Sequence, residues 1–399
     1  MLFSRLSIQL KITLLAGLCL LAIVAVLVSA SVIQASRSAE LVKQASSSML
    51  QESAQLRMTA RGESQALQMQ RYFMDAYQYG RSAASQVLFI REQAEKRFLD
   101  AFDLREDLTR QVRSALEANH SLLGVYVAFE PNALDGKDEL FVDQENLGSN
   151  DKGRFSIYWS QGKNGDLVSE TMTEENLADS TPGISGAPYN AWYSCPIQKN
   201  KVCLLDPYID DTDGVKTLMT SIAFPLEQAG KVIGVLGVDI SLASLQELSI
   251  AAHKDLFDGA GHVSIISPAG LLAGHSRDSS LLGGKLEKAF ADQHREMTSL
   301  VASNRPEVLH HDGALQVLQP LLPIPESQPW GVLMEVPEKV LLEPATRLET
   351  QMDEMGTRST AVSLGLGLAA GVVGILLIWL TALGVTRPIL GVAAMLKNI

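Results

Sequence analysis

The sequence is short of aromatic residues and lacks the motifs of common catalytic and metal sites. Aromatic residues make up 6% of the 399 residues, whereas 46% are hydrophobic, which is typical of a folded protein rather than a disordered one. No Ser-His-Asp order, metal-ligand spacing or phosphate-cradling glycine loop is present, and His275, His310 and His311 are interpreted as surface histidines. We therefore expect no enzyme activity, no metal and no cofactor.

Charged residues are missing from two long stretches, 12–36 and 359–386. Each exceeds the roughly 20 residues that a helix needs to cross a bilayer, so both are predicted as transmembrane helices. A cleavable signal peptide is the alternative for the first stretch, although its apolar core is longer than is usual for one. Basic residues flank both stretches at their outer ends, which places 1–11 and 387–399 in the cytoplasm and 37–358 in the periplasm of an inner-membrane protein.

The chain has no excess of basic residues, and its formal net charge is −12. This balance argues against nucleic acid or an anionic membrane surface as a partner. It is compatible with a cationic ligand, although a solvated acidic surface is the commoner explanation for such a balance.

Cysteine is scarce, with one residue, Cys19, inside the first predicted span. Cys195 and Cys203 lie close together in the external part, where a bridge would close a nine-residue loop. Such a bridge could stabilise the fold by roughly 2.5 kcal/mol in an oxidising periplasm. A disulfide is therefore predicted, with two free thiols as the alternative.

The external part divides by pattern into a helical stretch and two strand-rich rounds. Residues 37–120 contain no proline up to Asn119 and show helical spacing, which predicts one long helix or two nearly continuous ones. Strands and turns then alternate over 121–241 and again over 242–345, and an exit helix covers 346–358. The predicted fold class is α+β: two stacked PAS-like modules on a long N-terminal helix, flanked by the two transmembrane helices.

Several short motifs resemble a known receptor family. Trp192-Tyr193, the segment 207–210 (PYID) and the segment 234–241 (GVLGVDIS) are similar to the double-Cache ligand-binding domains of methyl-accepting chemotaxis receptors. Residues 386–389 (TRPI) look like the opening of a HAMP linker, so we expect a chain truncated at the start of that linker. The resemblance implies a homodimer that signals to cytoplasmic CheA/CheW-type proteins and holds its ligand in the membrane-distal module, 121–241.

The amino-acid-sensing members of this family carry an Arg-x-Trp-Tyr pattern in which the arginine grips the ligand carboxylate. Here Asn190 occupies the arginine position, while Tyr208, Asp210 and Asp239 retain the ammonium-binding pattern. Loss of the guanidinium removes a bidentate carboxylate contact. The chain thus resembles the amine-sensing branch, and the expected ligand is histamine or a polyamine such as putrescine, cadaverine or spermidine.

Aromatic rings could contribute cation–π attraction, and Trp192 and Tyr193 are the candidates beside Tyr208. Glu170 is a candidate for the far end of a diamine, because residues 130–180 contain twelve acidic and four basic residues. Other interpretations stay open. Asp239 could cap the following helix, Asp210 could belong to a solvated turn, and the aromatic pair could be core.

Two other classes of receptor use the same kind of front end. The sensor of a histidine kinase or diguanylate cyclase is one alternative, and an amino-acid-binding chemoreceptor is the other. The sequence up to Ile399 contains no output module that would separate them.

Overall fold

The computed structural model describes residues 8–162 and 164–396. The predicted N-terminal segment 1–11 and the start of a HAMP linker at 387–399 lie partly outside these residues. The chain divides into two compact units. One comprises Met1–Ala54 with Leu341–Ile399, and the other comprises Gln55–Val340.

Seven α-helices and twelve strands are present in the described part of the chain. The helices are α1 Ile8–Arg97, α2 Ala101–Glu117, α3 Glu174–Ala178, α4 Ala191–Lys199, α5 Leu242–Asp255, α6 His294–Ser303 and α7 Glu338–Leu396. The strands are β1 Gly124–Phe129, β2 Ser156–Gln161, β3 Leu167–Thr171, β4 Cys203–Leu204, β5 Tyr208–Thr212, β6 Val215–Gln228, β7 Lys231–Ser241, β8 His262–Ile266, β9 Leu272–His275, β10 Glu307–His311, β11 Ala314–Leu321 and β12 Trp330–Pro337.

The unit formed by the two chain ends contains the first part of α1 and most of α7. Each helix contains an 18-residue window apolar enough to span a membrane, with mean hydropathy 2.8 in α1 and 2.4 in α7. Only 6% of each window is buried within the protein, so these segments expose their apolar side chains. Gly374 lies against Leu20, where a methyl group would come within 2.3 Å of the leucine side chain, so the two helices pack closely at this small residue.

The unit Gln55–Val340 contains two antiparallel sheets. The first sheet has the order β3-β2-β1-β7-β6-β4, with β5 also paired to β6, and the second has the order β10-β11-β12-β8-β9. The predicted α+β class is confirmed. The segment 202–209 (VCLLDPYI) has the composition of a single strand, but Pro207 has no amide hydrogen to donate to a ladder. The segment instead contains β4 and the start of β5. The sequence patterns missed β3, β10 and the short helices α3, α4 and α6.

Helix α1 packs against both sheets through a few closely fitted residues. A Cβ atom at Gly80 would lie 2.4 Å from the ring of Phe224 in the first sheet, so only glycine allows this approach. Phe73 is fully buried and meets Trp330 of the second sheet edge to face, with ring centroids 5.2 Å apart. The chain leaves the helix at Phe98, whose φ of 55° is left-handed, so the predicted helical stretch is two helices rather than one.

His275 departs from the expected surface location. Its side chain is buried, and its Nδ1 lies 2.9 Å from the hydroxyl oxygen of Ser264 on the neighbouring strand. Burial lowers the pKa of His275, with the charge of Arg277 acting in the same direction. The neutral imidazole is therefore a packed core group.

A buried arginine fixes α2 to the loop that follows β1. The Arg105 guanidinium donates to both Oδ atoms of Asp135, at 2.8 and 3.0 Å, and to Asp138 Oδ1 at 2.9 Å. It also donates to Ser149 Oγ at 2.7 Å and to the Gly153 carbonyl oxygen at 2.6 Å. All five guanidinium hydrogens thus have partners, which is the condition under which a buried charge stabilises a fold.

Replacing Arg105 with Met should lower the free energy of unfolding by about 3 to 5 kcal/mol, because two buried carboxylates lose their counter-charge. Arg110→Met on the same helix is the matched control, since its ion pairs with Glu106 and Asp107 are exposed and should contribute about 1 kcal/mol or less. Urea unfolding of residues 37–358 measures both. Equal losses in the two variants would contradict the structural role given to Arg105.

Candidate functional site

A small cavity of about 120 Å³ lies against the first sheet. Strands β1, β2, β3, β5 and β7 supply one side, and α3, α4 and the loops before them supply the other. None of its lining residues is Lys, Arg or His in the part of the chain that the structure describes. The lining residues are Tyr126, Tyr158, Glu170, Thr171, Met172, Asn176, Tyr189, Trp192, Tyr208, Asp210, Asp211 and Asp239.

Asp239 lies on β7 in the interior of the sheet, and only 2% of its surface is exposed. It stands opposite Gly124 of β1 and opposite Ser221 of β6. The Ser221 hydroxyl donates to Asp239 Oδ1 at 2.5 Å, and the Tyr208 hydroxyl lies 2.7 Å from that serine oxygen. Because the serine proton goes to the carboxylate, the tyrosine donates to the serine, and the two hydroxyls form a relay that holds Asp239 in place.

Asp210 lies on β5, two residues after Tyr208. Alternate residues of a strand share a face, so the Tyr-x-Asp spacing directs both side chains into the cavity, while Ile209 between them is 41% exposed. The Tyr189 hydroxyl donates to Asp210 Oδ1, and the backbone N–H of Asp211 donates to the same oxygen at 2.8 Å. The loop before α4 therefore closes onto the cavity through Tyr189.

Two glycines make room for the aromatic wall of the cavity. The Tyr126 ring lies over Gly237 of the neighbouring strand, where a Cβ atom would be 2.0 Å from the ring. Similarly, the Tyr158 ring lies over Gly124, where a Cβ atom would be 2.4 Å away. The Tyr126 hydroxyl donates to the Trp192 carbonyl oxygen at 2.9 Å, so the sheet and α4 are joined at the cavity.

Two polar atoms of this wall have no hydrogen-bond partner. The Tyr158 hydroxyl makes no hydrogen bond of ordinary geometry, and neither does the Trp192 indole N–H, within the described residues. Both side chains are at most 5% exposed. Such groups are costly to leave unsatisfied, which is a feature of sites that bind polar ligands rather than of packed cores.

The carboxylates of the cavity are held in an environment that resists their charge. Burial raises the pKa of Asp239 to about 7, against the opposing hydrogen bond from the Ser221 hydroxyl. Burial, followed by repulsion from Asp210, raises the pKa of Glu170 to about 7 as well. Burial also raises the pKa of Asp210. No lysine, arginine or histidine stands beside these carboxylates among the described lining residues. A positively charged guest would lower the raised pKa values.

The structure brings together five of the six residues predicted to bind ligand: Glu170, Trp192, Tyr208, Asp210 and Asp239 all line the cavity. Their role in binding stays a prediction. Asp239 does not cap the following helix, which was the alternative role considered for it. The N-cap is Ser241, whose hydroxyl accepts a hydrogen bond from the Ala243 N–H.

Tyr193 is the predicted residue that does not line this cavity. Its hydroxyl donates to the Glu130 carboxylate and accepts from the buried Arg154 guanidinium. Consecutive residues of a helix point about 100° apart, so Trp192 and Tyr193 cannot both face the same cavity. Asn190 does not line it either, because its side-chain amide donates to the Leu177 carbonyl oxygen at 2.8 Å.

Three lining tyrosines, Tyr126, Tyr158 and Tyr189, were missed from the sequence. Tyr126 and Tyr158 face each other only because β1 and β2 pair in a register that places them opposite. Tyr189 comes from a loop, where no periodicity indicates direction. Tyr126, however, could have been found from the sequence. It is the one residue with a hydroxyl group in the strongly apolar run 122–131.

The predicted disulfide is confirmed. Cys195 of α4 is bonded to Cys203 of β4, with Cα atoms 6.3 Å apart. The bond fastens the helix that carries Trp192 to the edge of the first sheet.

Residues 108–247 match the family model described as methyl-accepting chemotaxis protein-like, first PDC sensor domain. The fold and this match define the class of protein: a chain with PDC/Cache-type sensor domains and two candidate membrane helices. It is 60% identical, over all 399 residues, to the methyl-accepting chemotaxis protein TlpQ of Pseudomonas aeruginosa. The chain spans 56% of the length of that relative.

Solved structures show the same fold at low sequence identity. The extracellular domain of the histidine kinase mmHK1S-Z3 aligns with a TM-score of 0.56 and 22% identity, over 75% of this chain and 97% of that one. The periplasmic sensory domain of the Campylobacter jejuni chemoreceptor Tlp1 aligns with a TM-score of 0.55 and 13% identity, over 74% and 99% of the two chains.

Asp239→Asn should make the ligand-free sensor more stable at pH 8 by about 1 to 3 kcal/mol, because it removes a charge that is unfavourably buried. A carboxyl whose pKa is raised from 3.8 to about 7 on folding destabilises the fold fully above pH 7, and this cost fades as pH falls towards 4. The gain in the variant should therefore shrink at pH 5. Urea unfolding at both pH values measures it, and a destabilised variant at pH 8 would contradict the electrostatic account.

Proposed function

We propose that this chain is the sensory part of a chemotaxis receptor and that the cavity on its first sheet binds a small cationic amine. Candidate ligands are histamine and the polyamines putrescine, cadaverine and spermidine. The observation that carries the proposal is the set of carboxylates lining the cavity, Glu170, Asp210, Asp211 and Asp239, with no basic side chain among the described lining residues.

An ammonium group matches the hydrogen-bonding capacity of this cavity. Ionised carboxylates only accept hydrogen bonds, and an alkylammonium donates three. Each charge-assisted contact contributes roughly 1.5 to 3 kcal/mol. Tyrosine and tryptophan rings in the same wall add about 0.5 to 2 kcal/mol each where a ring face meets the cation. An ammonium guest would also lower the raised pKa values of Glu170 and Asp239 by supplying the missing counter-charge.

An α-amino acid fits this cavity poorly. Its carboxylate would lie among three or more acidic side chains, with no lysine or arginine from the described lining residues to receive it. The arginine position of amino-acid-sensing relatives is occupied by Asn190, whose amide is already bonded to Leu177. The tyrosine hydroxyls and the indole N–H can donate, but none carries a full positive charge.

The volume of the cavity supports a small ligand. A volume of about 120 Å³ is well below the roughly 300 to 1,000 Å³ of pockets that hold drug-sized ligands. A short diamine could place one ammonium at the interior Asp239 and the other near Asp210 and Glu170. A longer polyamine would have to extend past the Tyr189 loop.

The proposed membrane topology, oligomeric state and signalling partners are based on the similarity to TlpQ. The two apolar helices would span the inner membrane, with residues 37–358 in the periplasm and the first sheet in the membrane-distal module. A HAMP linker, a homodimer and CheA/CheW-type partners would complete the receptor. A histidine kinase sensor is the second candidate, because the extracellular domain of a histidine kinase has the same fold. The similarity of the full chain to a chemotaxis protein favours the chemotaxis receptor over the kinase sensor.

Titration calorimetry of residues 37–358 with histamine, putrescine, cadaverine and spermidine should show binding that depends on Asp239. Asp239→Asn should weaken the affinity about 10- to 100-fold, since one charge-assisted contact is lost from a buried site. Asp213→Asn is the matched control. It removes the same charge from the nearby β5–β6 turn, does not line the cavity, and has a left-handed backbone that asparagine tolerates.

The control should change the affinity by no more than about threefold, because Asp213 is exposed outside the cavity and solvent screens its charge. Equal losses in both variants would reduce the proposal to general electrostatic attraction. Absence of amine binding to the unaltered protein would refute the proposed ligand class.

Putrescine affinity should rise with pH through about 7, because protons compete with the amine for Asp239 and Glu170. Putrescine itself stays doubly charged over this range, since alkylammonium groups lose their protons near pH 10. The dissociation constant at pH 5.5 should exceed that at pH 8 by about tenfold or more. Calorimetry in buffers of different ionisation enthalpy should detect proton release below pH 7. A pH-independent affinity with no proton release would contradict the raised pKa values.

A further inference from the structure

The second sheet carries a polar cavity of its own, with a volume of about 340 Å³. It lies where the segment 289–293 before α6 crosses the strands β11 and β12. Arg277, Gln293, Gln316 and Glu335 supply its central polar groups, and His311, Asp292 and Asp312 also line it.

The layout of this cavity repeats that of the first sheet. Asp239 lies three residues before α5 begins at Leu242, and Glu335 lies three residues before α7 begins at Glu338. In each sheet the residue directly opposite the carboxylate, on the preceding strand, donates a hydrogen bond to it. Ser221 donates to Asp239 at 2.5 Å, and Gln316 donates to Glu335 at 2.8 Å. Glu335 is therefore the structural counterpart of Asp239.

Gln316 leaves one acceptor of this cavity unpaired. Its Nε2 donates to Glu335 Oε2 and, at 3.2 Å, to Gln293 Oε1. Its Oε1 has no partner among the described residues, although the side chain is 1% exposed. Rotating the amide would turn the oxygen towards two acceptors, so the present orientation is the favourable one. A ligand that donates a hydrogen bond to this oxygen would satisfy it.

One charged group distinguishes this cavity from the first. Arg277 Nη2 donates to Glu335 Oε1 at 2.9 Å, so the carboxylate has a cationic partner here. The Arg277 side chain is 56% exposed and that of Glu335 is 16% exposed, so the arginine marks the open side and the glutamate the inner side. A ligand entering between them meets a positive group first and acceptors beyond it.

We propose that this cavity is a second ligand site and that it binds a small zwitterion of the α-amino acid type. The ligand carboxylate pairs with Arg277, and the ligand ammonium donates to Glu335 and to Gln316 Oε1. A zwitterion inserted in this way replaces one ion pair by two and leaves neither Arg277 nor Glu335 without a partner. A simple amine would leave Arg277 without its partner, and a simple carboxylate would do the same to Glu335.

The test uses the chain in lipid nanodiscs and the twenty standard L-amino acids, screened singly by thermal shift. At least one should raise the melting temperature. Calorimetry should then show that this amino acid binds at least about tenfold more tightly than its methyl ester and than the corresponding acid without the amino group, because each lacks one charged contact. If no amino acid stabilises the chain, or if the ester binds as tightly as the acid, the proposal fails.

Variants assign the binding to one of the two cavities. Glu335→Gln and Gln316→Leu should each weaken the amino acid by about tenfold or more, whereas Asp239→Asn should leave its affinity within about twofold. Gln316→Leu keeps the Arg277–Glu335 pair and so separates ligand contact from loss of the pair. Loss of binding in Asp239→Asn, with no effect of the two second-sheet variants, would place the amino acid in the first cavity and overturn the proposal. Amine binding to the first cavity does not enter this test.

Discussion

The Asp239 carboxylate, buried inside a sheet without a cationic partner among the described residues that line its cavity, is the constraint on which the candidate site depends. A lone buried charge is so unfavourable that proteins normally pair it or neutralise it by a raised pKa. Here the neighbouring groups are hydroxyls and further carboxylates, so neutralisation by protonation is the available response in the free protein. The ionised Asp239 carboxylate thus lowers the stability of the free fold and at the same time favours the binding of a cation.

The sheet tolerates this arrangement because its glycines let large rings lie flat over neighbouring strands. Gly124 of β1 stands opposite Asp239 of β7, and Gly237 lies on β7 two residues before Asp239. Their missing Cβ atoms leave the space that Tyr158 and Tyr126 occupy. The rings shield the carboxylate from water, and this burial produces the raised pKa. The glycine-rich segment 234–241 therefore shapes the site as well as carrying its carboxylate.

Much of the architecture could be predicted from sequence because it follows from strong local patterns. The two charge-free runs, the long helical stretch and the apolar strands β1, β6, β7 and β12 are all readable as periodicity and length. The short helices α3 and α4 were missed, since they are held by a capping box and a disulfide rather than by an extended pattern. Strand β3 was missed because it is short and none of its five residues is fully buried.

The site was predictable to the extent that it depends on spacing within one element. Tyr208 and Asp210 share a face because they are two apart in a strand. Trp192 and Tyr193 were predicted together, yet helix geometry separates them, and Tyr193 contacts Glu130 and Arg154 instead. Tyr158 and Tyr189 depend on register and loop path, which a single sequence does not reveal.

The carboxylate near the end of each module's last strand, Asp239 or Glu335, recurs at a fixed distance from the next helix. Its position alone therefore cannot decide the charge of the ligand. Its neighbours decide it: hydroxyls leave Asp239 uncompensated, which favours a cation, whereas Arg277 balances Glu335 and favours a ligand that is neutral overall.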